Sequence, residues 1–505
     1  MLKLIKYTYE NWFQIFLLFF ILFGVSVAFL DLIQNKSLWL DEACLALNIV
    51  SKSYMDLLKP LDYGQVSPIG FLFIEKFLFD IFGFGEWVLR LFPFVCFFVS
   101  IYIFFNLNLK LFSSIKISLI ACVFFSLNFT LINYASEVKQ YSVDVLFSIL
   151  IILSSLNIKN TKTVSAFILH TCLGVVAIWF SNIAVIVLLS CGIYDIYYGI
   201  FSSSKKSYNI LFPIFLWITS FIFYYIFFIS DHPHTSNMTS YWTAHFMPNK
   251  IFSNEFNVFV YKKTKMIFSS LLNFKEKWIF GFILYVLGIL SLIKDKKIKY
   301  LYLICFPIII HLILSLFHLY PFYERFILYL IPLIIIPVSY SFKLVLSCFH
   351  KFNISKIIIT LILLIYTYEL LNTPRIDEEE IKKSLSFINK YITNDDHIYV
   401  YYSSKPAFEF YKKNYLNVNK AKVIHFGGFH RGKPKGYLNE IKNINNSTWI
   451  LFSHMYTEGY PDRPPETEED FIINNLKKND YKIVYKARFK DSSCYKIEST
   501  KEDIH

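Results

Sequence analysis

Long apolar runs broken by short lysine-bearing turns dominate residues 12–371, and their lengths say what they are. A helix rises about 1.5 Å per residue, so a hydrocarbon core of about 30 Å needs roughly twenty apolar residues. Runs of that size occupy 12–33, 87–108, 117–134, 141–157, 210–230, 278–293, 300–319, 326–346 and 357–371. The apolar stretch 164–200 is too long for one crossing and divides into two, turning near Ser181 and Asn182. The pattern predicts about eleven transmembrane helices.

Segment 67–84 breaks the rule, because Glu75, Lys76 and Asp80 lie in its apolar stretch. Burying such charges at the bilayer centre costs roughly 2.5–3.5 kcal/mol each. A helix lying on the outer surface avoids that cost. With 67–84 placed there, Lys3, Lys6, Lys110, Lys116, Lys159, Lys162, Lys205, Lys206, Lys294, Lys296, Lys297, Lys299, Lys351 and Lys356 all fall inside. The first run is too long for a signal peptide and has no small-residue cleavage site, so it is expected to be a retained span.

From Asn372 the chain turns charged and alternates helix and strand patterns. "HIYVYY", "KVIHF" and "TWILF" read as strands, with helical stretches between them, and "YKIVYKARF" with "CYKIES" closes as a hairpin. That alternation predicts a small α/β domain with a largely parallel sheet on the outer side. The expected domains are a membrane domain, 1–371, with a first outer loop at 34–86 and a large one at 231–277, and a soluble domain, 372–505.

With 55% hydrophobic and 20% aromatic residues, the composition excludes an ordinary soluble protein. The net charge of +13 comes mostly from loop lysines, which report orientation and contact with anionic lipid rather than nucleic acid. Cys44 and Cys494 are the cysteines of the outer segments, too few for a disulfide framework.

Groups with chemical potential collect on the outer side. Asp41 and Glu42 follow the first span, and the bland reading of Asp41 is a helix N-cap. In "SEVKQYSVD", Glu137, Tyr141 and Asp144 would share one face if the helix began at Ser136. Asp144 then lies about a turn inside the membrane boundary, where an ionisable group is a functional candidate. Lys139 either meets a lipid phosphate or snorkels. Glu86 and Arg90 stand four residues apart, as in a plain ion pair. Arg325 at headgroup depth suits a phosphodiester, with a topological anchor as the alternative. Tyr63 and Gln65, in the turn-like "DYGQVSP", offer hydrogen bonds to sugar hydroxyls. His232, His234 and His245 are weak evidence for zinc.

"LWLDEACLALNI", "DYGQVSPIGFLFIEKFLFDIFGFGEWVLRLFP", "NYASEVKQYSVDVL" and "YPFYERFILYLIP" together resemble the GT-C class of membrane glycosyltransferases. The likeness runs over 10–370 and is to the branch of protein O-mannosyltransferases and the aminoarabinose transferase of lipid A. The resemblance implies a plasma-membrane (inner-membrane) enzyme that moves a monosaccharide from a polyprenyl-phosphate donor to a glycan, lipid or protein acceptor on the periplasmic or extracellular face. By it, Asp41 matches the first-loop acid, the catalytic general base or an acceptor-orienting carboxylate, with Glu42 orienting Asp41 or the acceptor. From the residues themselves, Lys139 and Arg325, with Arg90 next in line, are the candidates for the donor phosphate, and Tyr63, Gln65, Glu137, Tyr141 and Asp144 those for sugar and acceptor. One feature departs: the transferase's lysine before paired prolines is absent, and "QVSPIG" stands there. No metal ligand set is expected. A divalent cation on the leaving phosphate would favour a polysaccharide polymerase or ligase, and midplane charges with an internal repeat would favour a transporter or flippase of a lipid-linked saccharide.

Overall fold

A computed structural model describes residues 2–161, 163–201, 208–230, 242–348, 354–374, 379–444, 447–455, 467–479 and 481–500. Lys162, Lys205, Lys206, His232, His234 and Lys351 lie outside the described residues. By its contacts the chain divides into two units. The first holds Met1–Gln34, Tyr54–Pro60 and Val66–Pro374, and the second Asn35–Ser53, Leu61–Gln65 and Arg375–His505. The expected soluble domain thus gains two pieces of the first outer loop.

In chain order the helices begin with α1 (Leu2–Ile33), α2 (Leu40–Ser51), α3 (Ile69–Phe82), α4 (Glu86–Phe112), α5 (Ile115–Ser126) and α6 (Phe129–Ala135). They continue with α7 (Tyr141–Thr161), α8 (Val164–Phe180), α9 (Ala184–Ile196) and α10 (Leu211–Phe228). Among the described residues, 8 helical stretches are long and apolar enough to cross a membrane. They are Asn11–Ile33, Glu86–Phe112, Tyr141–Ile158, Leu211–Phe228, Lys275–Lys294, Ile298–Leu316, Glu324–Ser347 and Ile354–Leu371. The first unit is a mostly helical, polytopic membrane protein. Its outward side chains, such as Phe19 and Leu22 of α1 and Phe215 and Phe227 of α10, are apolar and exposed, as lipid contact requires.

The expected span 117–134 is broken: α5 and α6 meet at 60°. Asn128 makes the break. Its Oδ1 accepts the Leu131 N–H at 2.9 Å, capping α6, while its Nδ2 donates to the Leu271 carbonyl at 2.7 Å. The stretch 164–200 does turn at Ser181, whose Oγ accepts the Ala184 N–H at 3.2 Å. The resulting α8 and α9 have 17 and 13 residues, shorter than the other spans. Helices approach closely where a side chain is missing. A Cβ on Gly288 would sit 1.8 Å from the Pro337 carbonyl oxygen, so only glycine permits that crossing.

Helix α3 has 14 residues. Lys76 pairs with Asp80 at 3.2 Å, and Phe77, Ile81 and Phe82 are exposed. Glu75 departs from the expectation that its charge stays in solvent. It is fully buried, and burial pushes its carboxyl well above the usual range.

Polar groups sort to two ends of the bundle. At one, Lys110 bonds Asn157, Lys297 Nζ donates to the Leu111 carbonyl at 2.5 Å, Lys343 pairs with Asp295 at 2.6 Å, and Lys356 lies 5.3 Å from the Trp12 ring centroid. These are turns expected inside. At the other, Lys277 pairs with Glu369, and Thr373 donates to Asn273 at 3.2 Å.

The second unit carries a 5-stranded sheet in the order β2-β1-β3-β5-β4. The strands are β1 (His397–Val400), β2 (Val423–Phe426), β3 (Thr448–Ser453), β4 (Tyr481–Phe489) and β5 (Ser492–Ser499). β1 lies parallel between β2 and β3, but β5 runs antiparallel to both β3 and β4. The sheet is therefore mixed rather than largely parallel: the closing hairpin adds its second strand to β3. Helices Ile381–Tyr391, Lys405–Tyr411, Lys435–Lys442 and Glu468–Lys478 cover it. Trp449, Tyr399, Ile450 and Phe452 are among the side chains buried in it. Helix α2 packs here: the Leu38 N–H donates to the Tyr411 hydroxyl at 2.8 Å, and Lys382 Nζ to the Asn35 carbonyl at 2.7 Å.

Candidate active site

In the second unit, Asp41 is not an N-cap. Helix α2 starts at Leu40, so Asp41 and Glu42 lie in its first turn, where the dipole favours carboxylates. Glu42 is buried, and its Oε2 accepts the Trp39 N–H at 3.4 Å, the returning half of a capping box. Asp41 is half-buried. The "DYGQ" turn is tied to the same helix: Asn48 Oδ1 accepts the Asp62 N–H at 2.9 Å, and Lys52 pairs with Asp62 at 3.1 Å. Tyr63 is exposed with φ of 59°, a left-handed backbone that Gly64 shares. Partial desolvation on one side of the ring, with Cys44, Glu409 and Asp62 nearby, raises its phenol pKa. Gln65 follows in extended backbone.

Beyond these, His454 follows β3 directly, with φ of 50°. Its Nδ1 meets Glu379 Oε1 at 2.7 Å, and that same oxygen accepts the Leu40 N–H at 3.3 Å. The bond to Glu379 raises the His454 pKa despite burial, and Asp41 adds to the rise. Burial raises the Glu379 pKa, and its bonds to His454 and to the Leu40 N–H pull it back only in part.

The first unit holds the other expected residues. The helical phase from Ser136 fails: 136–140 is a turn closed by the Lys139 N–H on the Glu137 carbonyl at 2.8 Å, and α7 begins at Tyr141. Glu137, Lys139, Tyr141 and Asp144 are nonetheless all buried. Asn133 Nδ2 donates to Glu137 Oε1 at 2.8 Å, and Tyr134 and Tyr141 pack edge to face at 5.0 Å. Glu86 and Arg90 are buried as well, rather than a surface pair.

Two tyrosines tie the cluster together. Tyr134 stands within electrostatic reach of Glu137, Tyr141, Glu324 and Arg325, and Tyr320 within reach of Asp144, Tyr141 and Arg325. Burial drives the Tyr320 phenol well above its ordinary pKa, and the Arg325 charge opposes it. Arg325 heads its span on the short helix Glu324–Leu330, with its guanidinium carbon 5.0 Å from the Trp242 ring centroid.

Sequence reasoning passed over Lys263. It lies on the helix Asn254–Met266 within the large outer loop, and its Nζ is 3.4 Å from His245 Nδ1 and 5.9 Å from the Tyr323 ring centroid. Burial pulls its pKa down to about 8, against the pull of Glu324. No motif marks it in the sequence, and only the fold brings it beside Tyr323. Among the described residues, no group of three or more His, Cys, Asp or Glu could hold a metal ion.

No protein-family model matches the chain, and no characterised protein matches it by sequence. Solved structures do match by shape. The crystal structure of ArnT from Cupriavidus metallidurans bound to undecaprenyl phosphate superposes with a TM-score of 0.56 at 11% identity. That match covers 95% of this chain and 98% of that one. The apo state of the same protein gives 0.53 at 11% identity over 96% and 98%. The chain therefore has the membrane fold seen in that ArnT structure.

Proposed function

We propose that this protein is an inverting glycosyltransferase that moves a monosaccharide from a polyprenyl-phosphate donor to an acceptor hydroxyl on the periplasmic or extracellular face. The observation that carries this reading is the near-complete overlay on a structure that holds undecaprenyl phosphate. Each unit offers the chemistry the reaction needs. In the first, Arg325, Lys139 and Lys263 are the cations for a phosphate, and Arg90 is in reserve. In the second, Asp41 is the base.

The acceptor oxygen attacks the anomeric carbon as the bond from that carbon to the phosphate oxygen breaks. The electron pair leaves with polyprenyl phosphate, whose growing charge the fixed cations stabilise. Asp41 takes the acceptor proton as the sugar carbon gains oxocarbenium character. Glu42, bonded back to Trp39, holds the turn that carries Asp41. Glu137, Tyr141 and Asp144 shape the sugar site, with Tyr63 and Gln65 on the acceptor side. The acceptor class stays open between glycan, lipid and protein.

The test is mass spectrometry of envelope glycans and lipids from cells with and without the protein, then with Asp41→Asn. The substitution is isosteric, so membrane abundance should hold while the dependent product falls roughly 10²-fold, the scale for a positioned base. A normal product level with Asp41→Asn would reduce Asp41 to helix stabilisation.

A further inference from the structure

Between β1 and β3 the sheet has its topological switch point, because the chain leaves β1 for β2 on one side and returns to β3 on the other. Ligand-handling groups in α/β sheets gather beyond the carboxyl ends of parallel strands at such a point. His454 stands there, the first residue after β3, in a left-handed backbone that costs a non-glycine residue free energy. That conformation is held where the ring meets Glu379 at 2.7 Å.

Glu379 is buried, and its Oε1 bonds both His454 and the first backbone N–H of α2. Its Oε2 has no partner among the described residues. One carboxylate therefore links His454 to the first turn of the helix that carries Asp41. The Trp39 ring, at the head of that helix, lies 6.5 Å from the imidazole. The other charges facing the pair are Asp41 and Arg431 toward His454, and Asp491 toward Glu379.

The geometry points to His454 and Glu379 as a positioning pair for Asp41: Glu379 joins the imidazole to the first backbone N–H of α2, and so fixes the turn that presents Asp41. This rests on Asp41 being the base. The pair acts through Asp41. A cation beside an acidic first turn lowers the repulsion among Asp41, Glu42 and Glu379 and so keeps that turn in one geometry.

The test uses the full-length protein in lipid nanodiscs with 13C-labelled histidine, His454 being assigned through His454→Gln. The His454 midpoint should lie above the ordinary histidine value. It should drop by about half a pH unit in Asp41→Asn and by more in Glu379→Gln, as expected when a nearby opposite charge is removed. In cells, His454→Gln should lower the dependent envelope product roughly tenfold at unchanged membrane abundance, and His454→Lys, which keeps a cation, should restore part of it.

A His454 midpoint that ignores Asp41→Asn overturns the proposal. So does full product from His454→Gln, or an equal loss in His454→Gln and His454→Lys with falling abundance, which would mark a structural role. If instead Asp41→Asn keeps full product, the functional reading fails, while the NMR coupling is still read independently.

Discussion

His170 and His454 each face a carboxylate, Asp195 at 3.2 Å and Glu379 at 2.7 Å, yet the surroundings assign them opposite duties. The His170 and Asp195 side chains are 1% and 3% exposed, on α8 and α9. Ser154 meets the other ring nitrogen at 2.9 Å, Ser155 donates to Asp195 at 3.2 Å, and Trp217 packs edge-on at 4.8 Å. Both groups are enclosed among apolar spans, so the network is internal glue. The His454 side chain is 46% exposed, sits in a strained backbone, and leans on a carboxylate with an oxygen to spare. Enclosure among apolar spans marks packing. Partial exposure with strain marks a site.

The sharpest way to break that contrast is Asp195→Ala. It strips His170 and Ser155 of their acceptor inside the bundle, and breaking such a buried pair costs on the order of 3 kcal/mol. Thermal unfolding in detergent should show the loss. Envelope product per folded molecule should hold steady. Lost product with an unchanged unfolding temperature would place His170 in a second site and end the distinction.

What the sequence could reveal follows the same line. Among the described residues, eight of the eleven expected spans were legible because each rests on local length and hydropathy, and the strands of the second unit on local alternation. The break at Asn128 was not, because its cause lies at Leu271, far along the chain. Nor was the home of α2: Leu38 bonds Tyr411 across a separation of 373 residues. The acid–base face drawn from Ser136 failed because the chain turns at 136–140 before the helix starts. His454 carried no motif at all. Its signal is a positive φ and a partner 75 residues away, and neither is written locally.

Arg325 tests whether the first unit also has a working site as well as glue. Undecaprenyl phosphate binding to the purified protein should weaken in Arg325→Lys, which keeps charge but loses bidentate geometry. Arg325→Ala should weaken it further, by about 1.5–3 kcal/mol for one charge-assisted bond. Adding Lys139→Ala should give a non-additive loss if both cations grip one phosphate. Unchanged binding in Arg325→Ala would leave Arg325 a membrane anchor stacked on Trp242.

Lys263 gives the smallest and most diagnostic effect, because it is the first unit's counterpart of His454: a half-buried ionisable group set against aromatic rings and a carboxylate. Burial brings its pKa to about 8. As pH rises through that value Lys263 loses its charge, so affinity for undecaprenyl phosphate should fall a few-fold between about pH 7 and 9. The phosphate's second ionisation, near 6, is complete by then and does not oppose the trend. Stability should move the other way. The folded pKa lies below the unfolded value of about 10.4, so the unfolded chain binds more protons in that window, and folding gains as pH climbs. Lys263→Arg, which stays charged, should flatten both curves. Affinity that falls with pH equally in Lys263→Arg would assign the titration to another group, and Lys263 would join His170 as packing.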